Sequence, residues 1–249
     1  MKPSSFLSMP LLAVVLFYLV SCGGQNDKKS TDTTTSTDST TTTATTPTNH
    51  NPSAVITTPQ NMIVVRHKVT DFNKWKMSYD AHDSMRLASG VHNYVIGRGV
   101  KDSNTVLVAT KVDDMDKAKG FAKNPSLKQA MHKEGVVGAP LVNITTMTYQ
   151  DTATISSDLR SRTTFTVKDW DKWQRSFDSS RQIRRENGLM DRAYGHDADN
   201  NHKVTVVVAL MDTAKAYAFW KSDQLKKMQA ASGVMSKPER FVYRVVQRY

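Results

Sequence analysis

The sequence predicts an α+β fold in which one β-α-β-β-α-β unit occurs twice in tandem, after a leader segment and a polar linker. Three observations support this prediction. Residues 61–249 match themselves at an offset of 98 residues. Each copy shows the same order of strand-like and helix-like apolar patterns. Residues 23–60, in contrast, are rich in Thr, Ser and Asp and lack the apolar content of a core.

The repeat is continuous over residues 69–140, where 21 positions are identical to the positions 98 residues later. The longest matching block pairs VTDFNKWKMSYD (69–80) with VKDWDKWQRSFD (167–178). Beyond this block, Arg86 aligns with Arg184 and Gly97 aligns with Gly195. Residues 61–153 and 154–249 are therefore predicted to be two copies of one folding unit, repeat 1 and repeat 2.

The order of elements follows from the pattern of repeat 1. Asp71 is a predicted N-cap, and Gly90 is predicted to end the helix that follows it. A second helix begins at Asp114 or Asp116, is interrupted at Asn124-Pro125 and then continues. Four segments have strand patterns: MIVVRHKV, VHNYVIGRG, TVLVATKV and LVNITTMTYQ. The resulting order, β-α-β-β-α-β, is the ferredoxin-like order.

Composition and charge exclude several classes of protein. The chain has 249 residues with a net charge of +11, and its one cysteine excludes an internal disulfide and a cysteine-based zinc site. Residues 1–60 contain equal numbers of basic and acidic side chains, so the positive excess lies in residues 61–249. No aromatic-basic motif for nucleic acid is present, and no nucleic-acid partner is expected. Attraction to anionic lipid headgroups is a simpler use of the charge.

The first residues predict export. Lys2 precedes an unbroken apolar run from Leu11 to Val20, which is too short for a stable membrane span. Leu19-Val20-Ser21-Cys22 resembles the lipobox of bacterial lipoproteins. The resemblance implies that residues 1–21 are a signal peptide, that Cys22 is lipidated, and that lipid is the membrane partner. It also implies a location in the cell envelope, with the outer membrane favoured over the inner one.

Residues 22–60 are predicted to form a disordered, Thr/Ser-rich tether between this lipid and the folded part. Asp32-Thr33-Thr34 and Asp38-Ser39-Thr40 resemble the O-glycosylation acceptor of Bacteroidetes proteins. The leader and tether together therefore resemble those of a Bacteroidetes-type lipoprotein.

Residues 61–249 resemble the dimeric α/β-barrel superfamily, which includes antibiotic-biosynthesis monooxygenases, muconolactone isomerases and chlorite dismutases. The resemblance rests on the element order and on the helix start D-[FW]-x-K-W-x(3)-[FY]-D in both repeats. It implies that the two ferredoxin-like sheets face each other as an intramolecular dimeric α/β barrel. The helix start contains no catalytic motif, so the resemblance indicates a fold and leaves the activity open.

The first helix of each repeat has one apolar stripe that ends in an arginine. In repeat 1 the stripe consists of Phe72, Trp75, Tyr79, His82 and Arg86, and in repeat 2 of Trp170, Trp173, Phe177, Ser180 and Arg184. The aromatic residues are expected mainly in the core. Each arginine either reaches solvent or a nearby Asp, or binds an anion at the mouth of a pocket between helix and sheet.

Two histidines distinguish repeat 1. His67 alternates with Ile63 and Val65 on one face of the first strand, where repeat 2 has Phe165, and His82 is replaced in repeat 2 by Ser180. The alternatives are a hydrogen-bonded core His67 with a surface His82, or a functional pair in a pocket of repeat 1. The other histidines show no ligand spacing, and no metal site is predicted.

The last strand of repeat 2 is unusually basic. Arg240, Arg244 and Arg248 are expected on one face, together with Arg162 of the neighbouring strand. They either lie at an exposed edge with salt bridges or form a basic lining for an anionic ligand. Arg244 is the member of this strand included among the candidate ligand-binding residues, which are His67, Trp75, Tyr79, His82, Arg86, Arg184 and Arg244.

The sequence thus favours an exported, lipid-anchored module that binds a small apolar or anionic molecule, with no established catalysis and no cofactor. The first alternative is a cofactor-independent oxygenase or isomerase acting on an aromatic or polyketide-like substrate. His67, His82 and Tyr79 would then transfer protons while Arg86 stabilises an enolate. The second alternative is a haem protein with His67 or His82 as axial ligand. Whether the chain is an enzyme, and whether it forms oligomers, is left open.

Overall fold

The computed structural model describes residues 54–249. The predicted signal peptide, Cys22 and most of the predicted linker lie outside the described residues. Val55–Ile56 falls within the range 22–60 assigned to the linker, yet it forms a short strand, β1, on the edge of the fold. The folded part therefore begins before residue 61. Within the described part, none of the helices is both long and apolar enough to cross a membrane.

Repeat 1 contains four strands and two pairs of helices. In chain order these are β2 (Gln60–Val69), α1 (Phe72–Ala81), α2 (Asp83–Ala88), β3 (Val91–Gly99), β4 (Thr105–Val112), α3 (Met115–Lys123), α4 (Pro125–Lys133) and β5 (Val136–Asp151). Repeat 2 has the same order. Its elements are β6 (Leu159–Thr166), α5 (Trp170–Ser179), α6 (Arg181–Glu186), β7 (Leu189–Asp197), β8 (Lys203–Leu210), α7 (Thr213–Lys221), α8 (Asp223–Ala231) and β9 (Glu239–Arg248).

The predicted helix starts are present. Asp71 accepts a hydrogen bond from the backbone N–H of Lys74 at 2.8 Å, and Asp114, not Asp116, caps the start of α3. Asn124 caps α4, with Pro125 as its first residue. The helix predicted after Asp71 differs in one respect. It is interrupted at His82, where the backbone leaves helical geometry, so it forms two helices.

The strands close into a barrel. Repeat 1 contributes the order β5-β2-β4-β3 and repeat 2 the equivalent order β9-β6-β8-β7. Antiparallel pairing joins β3 to β9 and β5 to β7, so the two sheets are hydrogen-bonded along both edges. The predicted fold class is confirmed: two tandem ferredoxin-like units form one intramolecular barrel. Because each sheet covers the other's edges, this closure removes the open edges that an isolated unit would present.

Both repeats have a glycine in their second strand, Gly97 in β3 and Gly195 in β7, and it lies at these seams. A Cβ on Gly97 would lie 2.2 Å from Cδ2 of Tyr243, and a Cβ on Gly195 would lie 2.1 Å from the backbone oxygen of Thr146. Real Cβ atoms do not approach so closely, so only glycine permits the strands to pair here. The repeat identity Gly97/Gly195 therefore reflects barrel closure.

Apolar side chains form an inner core and two outer cores. The inner core fills part of the barrel and includes Val64, Leu107 and Tyr243. The outer cores lie between the helices and the outer faces of the two half-barrels. Trp75 is buried in that of repeat 1 and Trp173 in that of repeat 2. The helix-covered face of repeat 1 is the place where the functional pocket is predicted.

Candidate active site

The helix-covered side of repeat 1 contains a cavity of about 470 Å³. Its walls come from the outer faces of β2 and β4 and from the helices α1 to α4. The lining includes five of the seven predicted ligand-binding residues, namely His67, Trp75, Tyr79, His82 and Arg86. The equivalent space in repeat 2 measures about 100 Å³ and includes Arg184. The two copies of one unit therefore differ mainly in whether this space is filled.

Bulky residues fill the space in repeat 2. Trp220 stands where repeat 1 has Ala122, and Arg240 stands where repeat 1 has Val142. The guanidinium carbon of Arg240 lies 4.1 Å from the centre of the Trp220 ring. This stacked pair occupies volume that small side chains leave open in repeat 1, so the open cavity is a property of the repeat 1 sequence.

His67 projects from β2 into the wall of this cavity. The residue is 6% exposed, and neither ring nitrogen has a hydrogen-bond partner among the described residues. Its ring packs against Trp75 with 5.3 Å between the ring centres. Burial lowers the pKa of His67 from 6.5 to about 4, so the imidazole is neutral at physiological pH. A neutral imidazole with two free nitrogens in a cavity wall is able to exchange hydrogen bonds with a ligand.

His82 lies at the break between α1 and α2, and Glu134 follows directly after α4, next to His82. Nδ1 of His82 is 2.8 Å from the backbone oxygen of Ser78 and 3.0 Å from Oε1 of Glu134. Both neighbours are acceptors, so Nδ1 carries the proton in the neutral ring and Nε2 is left as the basic nitrogen. A carboxylate that orients an imidazole in this way is the arrangement of a general base.

Arg86 is 7% exposed and borders the same cavity. Its guanidinium lies 3.7 Å from the centre of the Tyr79 ring. Nε donates to Oδ1 of Asn93 at 3.1 Å, and Nη2 donates to Oδ1 of Asp83 at 3.3 Å. Asp83 is largely solvated, with 45% of its side chain exposed. Arg86 therefore keeps a positive charge at the cavity with only partial neutralisation.

Tyr79 contributes its ring more than its hydroxyl. The hydroxyl donates a 2.5 Å hydrogen bond to Oδ1 of Asn93, and burial raises the pKa of Tyr79 above its usual range. A phenol held in this way does not lose its proton near neutral pH. Of the three residues predicted to transfer protons, the structure thus leaves the imidazoles of His67 and His82, because Tyr79 has no free basic oxygen for that task.

Arg184 and Arg244 lie away from the repeat 1 cavity. Arg184 is held by Asp191, while Arg244 is exposed and pairs with Asp158 at 2.8 Å. The expectation that Arg162 shares a face with Arg240 and Arg244 is wrong. Arg162 pairs with Phe241 across β6 and β9, which places it on the inner face of the barrel.

The predicted alignment of Arg248 with Arg240 and Arg244 is also wrong. The register between β3 and β9 shifts between Val245 and Gln247, and Arg248 lines the barrel interior. A shift of one residue moves every later side chain to the opposite face of the sheet. This irregularity is what separates Arg248 from the outward-facing arginines.

Two residues of the site were missed from the sequence, Glu134 and Asn93. Repeat 2 has Ser232 and Asp191 at these positions. The signal that singled out His67 and His82, a polar residue that differs between aligned repeats, also applies to these two residues. Within the described residues, no group of three or more His, Cys, Asp or Glu side chains is arranged to hold a metal ion.

Comparison with known proteins identifies the fold of this chain through solved structures. No protein-family model matches the sequence, and no curated protein matches it. A candidate monooxygenase from Fusobacterium nucleatum is similar in structure, with a TM-score of 0.52, 13% identity, and coverage of 76% of this chain and 93% of that one. An anthrone oxidase-like protein has a TM-score of 0.52 and 14% identity, and the match covers 78% of this chain and 95% of that one.

The chain has the dimeric α/β-barrel fold. At 13% and 14% identity, these neighbours establish the architecture of residues 54–249 and leave the chemistry to the site itself. The barrel here is built from two repeats of one chain, and its helix-covered space in repeat 1, about 470 Å³, is larger than that in repeat 2, about 100 Å³.

Proposed function

We propose that the repeat 1 cavity binds a small, mainly apolar molecule whose polar group exchanges hydrogen bonds with His67. The observation that supports this proposal is the pair of buried, unpartnered nitrogens on His67. Leaving buried polar atoms without partners costs free energy, and Phe165 shows that the fold accepts an apolar ring at this position. A ligand that supplies the missing hydrogen bonds accounts for an imidazole in this place.

The walls indicate the class of ligand. The volume of about 470 Å³ lies within the range of small-molecule sites. Trp75 and Tyr79 contribute aromatic ring atoms to the lining, and Arg86 offers a positive charge for an oxygen that carries negative charge. We therefore infer an aromatic ligand that carries a hydroxyl or carbonyl group.

Proton transfer from this ligand is the second function that the geometry favours. Nε2 of His82, with Nδ1–H directed to Glu134, is able to remove a proton from a carbon next to a carbonyl, and Arg86 can stabilise the enolate oxygen. The enolate then either regains a proton elsewhere, which is isomerisation, or reacts with O₂. One neighbour in structure is described as anthrone oxidase-like, so anthrone is a suitable test substrate.

The residues of the repeat 1 cavity should also be tested for haem binding. One ring nitrogen of His67 could bind the haem iron, and Lys123 and Lys128 at the cavity could hold the haem carboxylates. Bound haem would supply redox chemistry at iron. An absorption spectrum of protein purified from its native host tests this: a Soret band would identify a haem protein.

Binding is tested with 1-naphthol by fluorescence titration of the full chain. We expect one molecule bound per chain, and binding about tenfold weaker in His67→Phe because the hydrogen bond is lost. Ala122→Trp, which introduces the repeat 2 residue, should abolish binding by filling the cavity. Arg244→Thr, on the outer surface, is the matched control and should bind normally. Normal binding by Ala122→Trp would contradict the proposed site.

Turnover is tested with anthrone in an oxygen electrode. Oxidation to anthraquinone consumes one O₂ and releases one water, so O₂ uptake and anthraquinone formation should match. His82→Ser, again the repeat 2 residue, should abolish uptake while 1-naphthol still binds. Binding without any O₂ uptake would favour the binding module over the oxygenase.

We further propose that the protein works in the cell envelope, attached to the outer membrane through lipid at Cys22. The support is the lipobox-like sequence ending in the chain's one cysteine. The part of the predicted tether that precedes Ala54 would then hold the barrel near the membrane surface.

A further inference from the structure

The barrel interior holds a second group of charged side chains, separate from the repeat 1 cavity. A cavity of about 70 Å³ inside the barrel is lined by four arginines: Arg160, Arg162, Arg192 and Arg248. Asp151 is the one acidic residue among the described residues that line it. Four arginines against one aspartate leave a clear positive excess in a confined space.

Three of these arginines are deeply buried. Arg160 is 2% exposed, Arg162 is 8% exposed and Arg192 is 7% exposed. A buried guanidinium normally pairs with carboxylates or donates all of its N–H groups to acceptors, since an unpaired buried charge is strongly unfavourable. The partners present here do not meet that requirement.

The hydrogen bonds of Arg160 and Arg162 are incomplete. Nη1 of Arg160 donates to the backbone oxygens of Ser157 and Leu159, while its Nη2 has no partner among the described residues. Nη2 of Arg162 donates to Oγ1 of Thr205 at 3.2 Å, while its Nε has no partner among them. Buried N–H donors of two cations therefore lack acceptors.

Arg192 is the arginine that pairs with Asp151. Its Nη1 lies 3.4 Å from Oδ2 of Asp151, and its Nη2 donates to the backbone oxygen of Ala153 at 2.6 Å. The carboxylate lies next to Arg192, and no ion pair joins a carboxylate to Arg160 or Arg162 among the described residues. Burial lowers the pKa of both Arg160 and Arg162 to about 10, with the charge of Arg192 contributing at Arg160. Both remain protonated at neutral pH.

The fold itself does not require these charges. At the equivalent positions, repeat 1 turns Met62, Val64, Tyr94 and Gln150 toward the same interior. The two halves of one barrel thus differ: repeat 1 supplies Asp151 and no cation to this lining, and repeat 2 supplies all four arginines. Neutral side chains pack in this environment, so the arginines call for another explanation.

We propose that the barrel interior binds a small oxyanion of the phosphate or sulfate type through Arg160 and Arg162, with Arg192 beside it. The planar guanidinium presents N–H groups in the geometry that tetrahedral oxyanions accept. A volume of about 70 Å³ suits a small ion and excludes a large organic molecule. Arg248 is exposed at its end of the barrel and supplies positive potential where an anion would enter.

Equilibrium dialysis of the full chain against radiolabelled inorganic phosphate tests this proposal. We expect one phosphate bound per chain, with sulfate as a competitor. Arg162→Val and Arg160→Met, which introduce the repeat 1 residues, should each weaken binding at least about tenfold. Arg244→Thr removes the same charge from the outer face and should leave binding unchanged. Arg162→Gln provides a polar variant in case Arg162→Val does not fold.

Two further experiments distinguish a free ion from a lipid headgroup, and the interior site from the repeat 1 cavity. A free ion should compete for the interior, whereas vesicles containing phosphatidic acid should not, because the headgroup cannot enter. Ala122→Trp, which fills the repeat 1 cavity, should leave phosphate binding intact, so failure at one site does not imply failure at the other. No phosphate bound by the wild type at millimolar concentration, or equal weakening by Arg244→Thr and Arg162→Val, would overturn the proposal.

Discussion

Arg184 and Asp191 form a buried bidentate ion pair, with Nε to Oδ1 at 2.7 Å and Nη2 to Oδ2 at 2.6 Å. Nη1 of Arg184 donates to the backbone oxygen of Phe177 and to Ser180. The aligned arginine of repeat 1, Arg86, has Asn93 where repeat 2 has Asp191. One arginine is therefore fixed as part of the scaffold, while its counterpart retains charge at an open cavity.

Asp191→Asn should destabilise the protein by about 3 kcal/mol, because it leaves Arg184 buried without its carboxylate. Repeat 1 tolerates Asn93 because Asp83 supplies a nearby charge, but repeat 2 has Arg181 at the position of Asp83. Urea unfolding of both proteins measures the change. Asp158→Asn breaks the exposed pair with Arg244 and should cost less than about 1 kcal/mol. Equal costs for the two variants would contradict this account of Arg184.

The sequence predicted the elements well because their signals are local. The caps Asp71 and Asn124 and the apolar periods lie within a few residues of the helices and strands that they determine. The repeat at 98 residues then predicts the same element order for repeat 2. The comparison of repeats also pointed to the side of repeat 1 where the open cavity lies. Its premise was that His67 and His82 are imidazoles, which titrate near neutral pH, where repeat 2 has Phe165 and Ser180, which do not.

Long-range geometry was not accessible in this way. The face of Arg248 depends on a register shift in β9, and the face of Arg162 depends on its pairing with Phe241. The spacing of the arginines does not determine either face, since one extra residue in a strand moves every later side chain to the opposite face of the sheet. The role of Glu134 likewise depends on where the turn after α4 places it relative to His82.

Cys22→Ala should leave the precursor uncleaved and unlipidated, because the thiol is the nucleophile that receives the lipid in proteins with this motif. Mass spectrometry of the membrane fraction measures this. The wild-type mature chain is expected to begin at an acylated Cys22, and Ser21→Ala, which keeps a small residue before the cysteine, is expected to leave the modification in place. A mature chain that begins at another residue would show that the lipobox resemblance is misleading.

Gly97→Ala should destabilise the barrel by about 1–3 kcal/mol, since the added methyl group meets the ring of Tyr243 at the seam of β3 and β9. Gly195→Ala should cost more, because its nearest neighbours are backbone atoms of Thr146 and Met147 that cannot rotate away. Gly120→Ala is the control: it is exposed in α3 with no atom within 4 Å of the new Cβ. That change should stabilise the protein by about 0.5–1 kcal/mol. Thermal unfolding measures all three, and a neutral Gly195→Ala would refute the close packing of the seam.

His67 should make the stability of the wild type depend on pH in a defined window. Its pKa is about 4 in the folded state and 6.5 in an unfolded chain, because burial disfavours the charged ring. At pH values between these two, His67 is protonated in the unfolded chain and neutral in the folded chain. The free energy of unfolding should therefore fall as the pH drops from about 6.5 to about 4, by up to about 3 kcal/mol, and this contribution should stay constant below that.

His67→Phe removes this dependence, and chemical denaturation at several pH values between 7 and 4 measures the difference between the two proteins. As the pH falls, the free energy of unfolding of the variant should rise relative to that of the wild type, since Phe cannot be protonated. Phe165→His, the reverse exchange in repeat 2, should introduce a similar loss of stability at low pH because Phe165 packs against Trp173 at 5.6 Å. A constant difference between wild type and His67→Phe across the window would show that His67 is solvated. Its ring nitrogens would then have water as partners, and the main support for a ligand in the repeat 1 cavity would be lost.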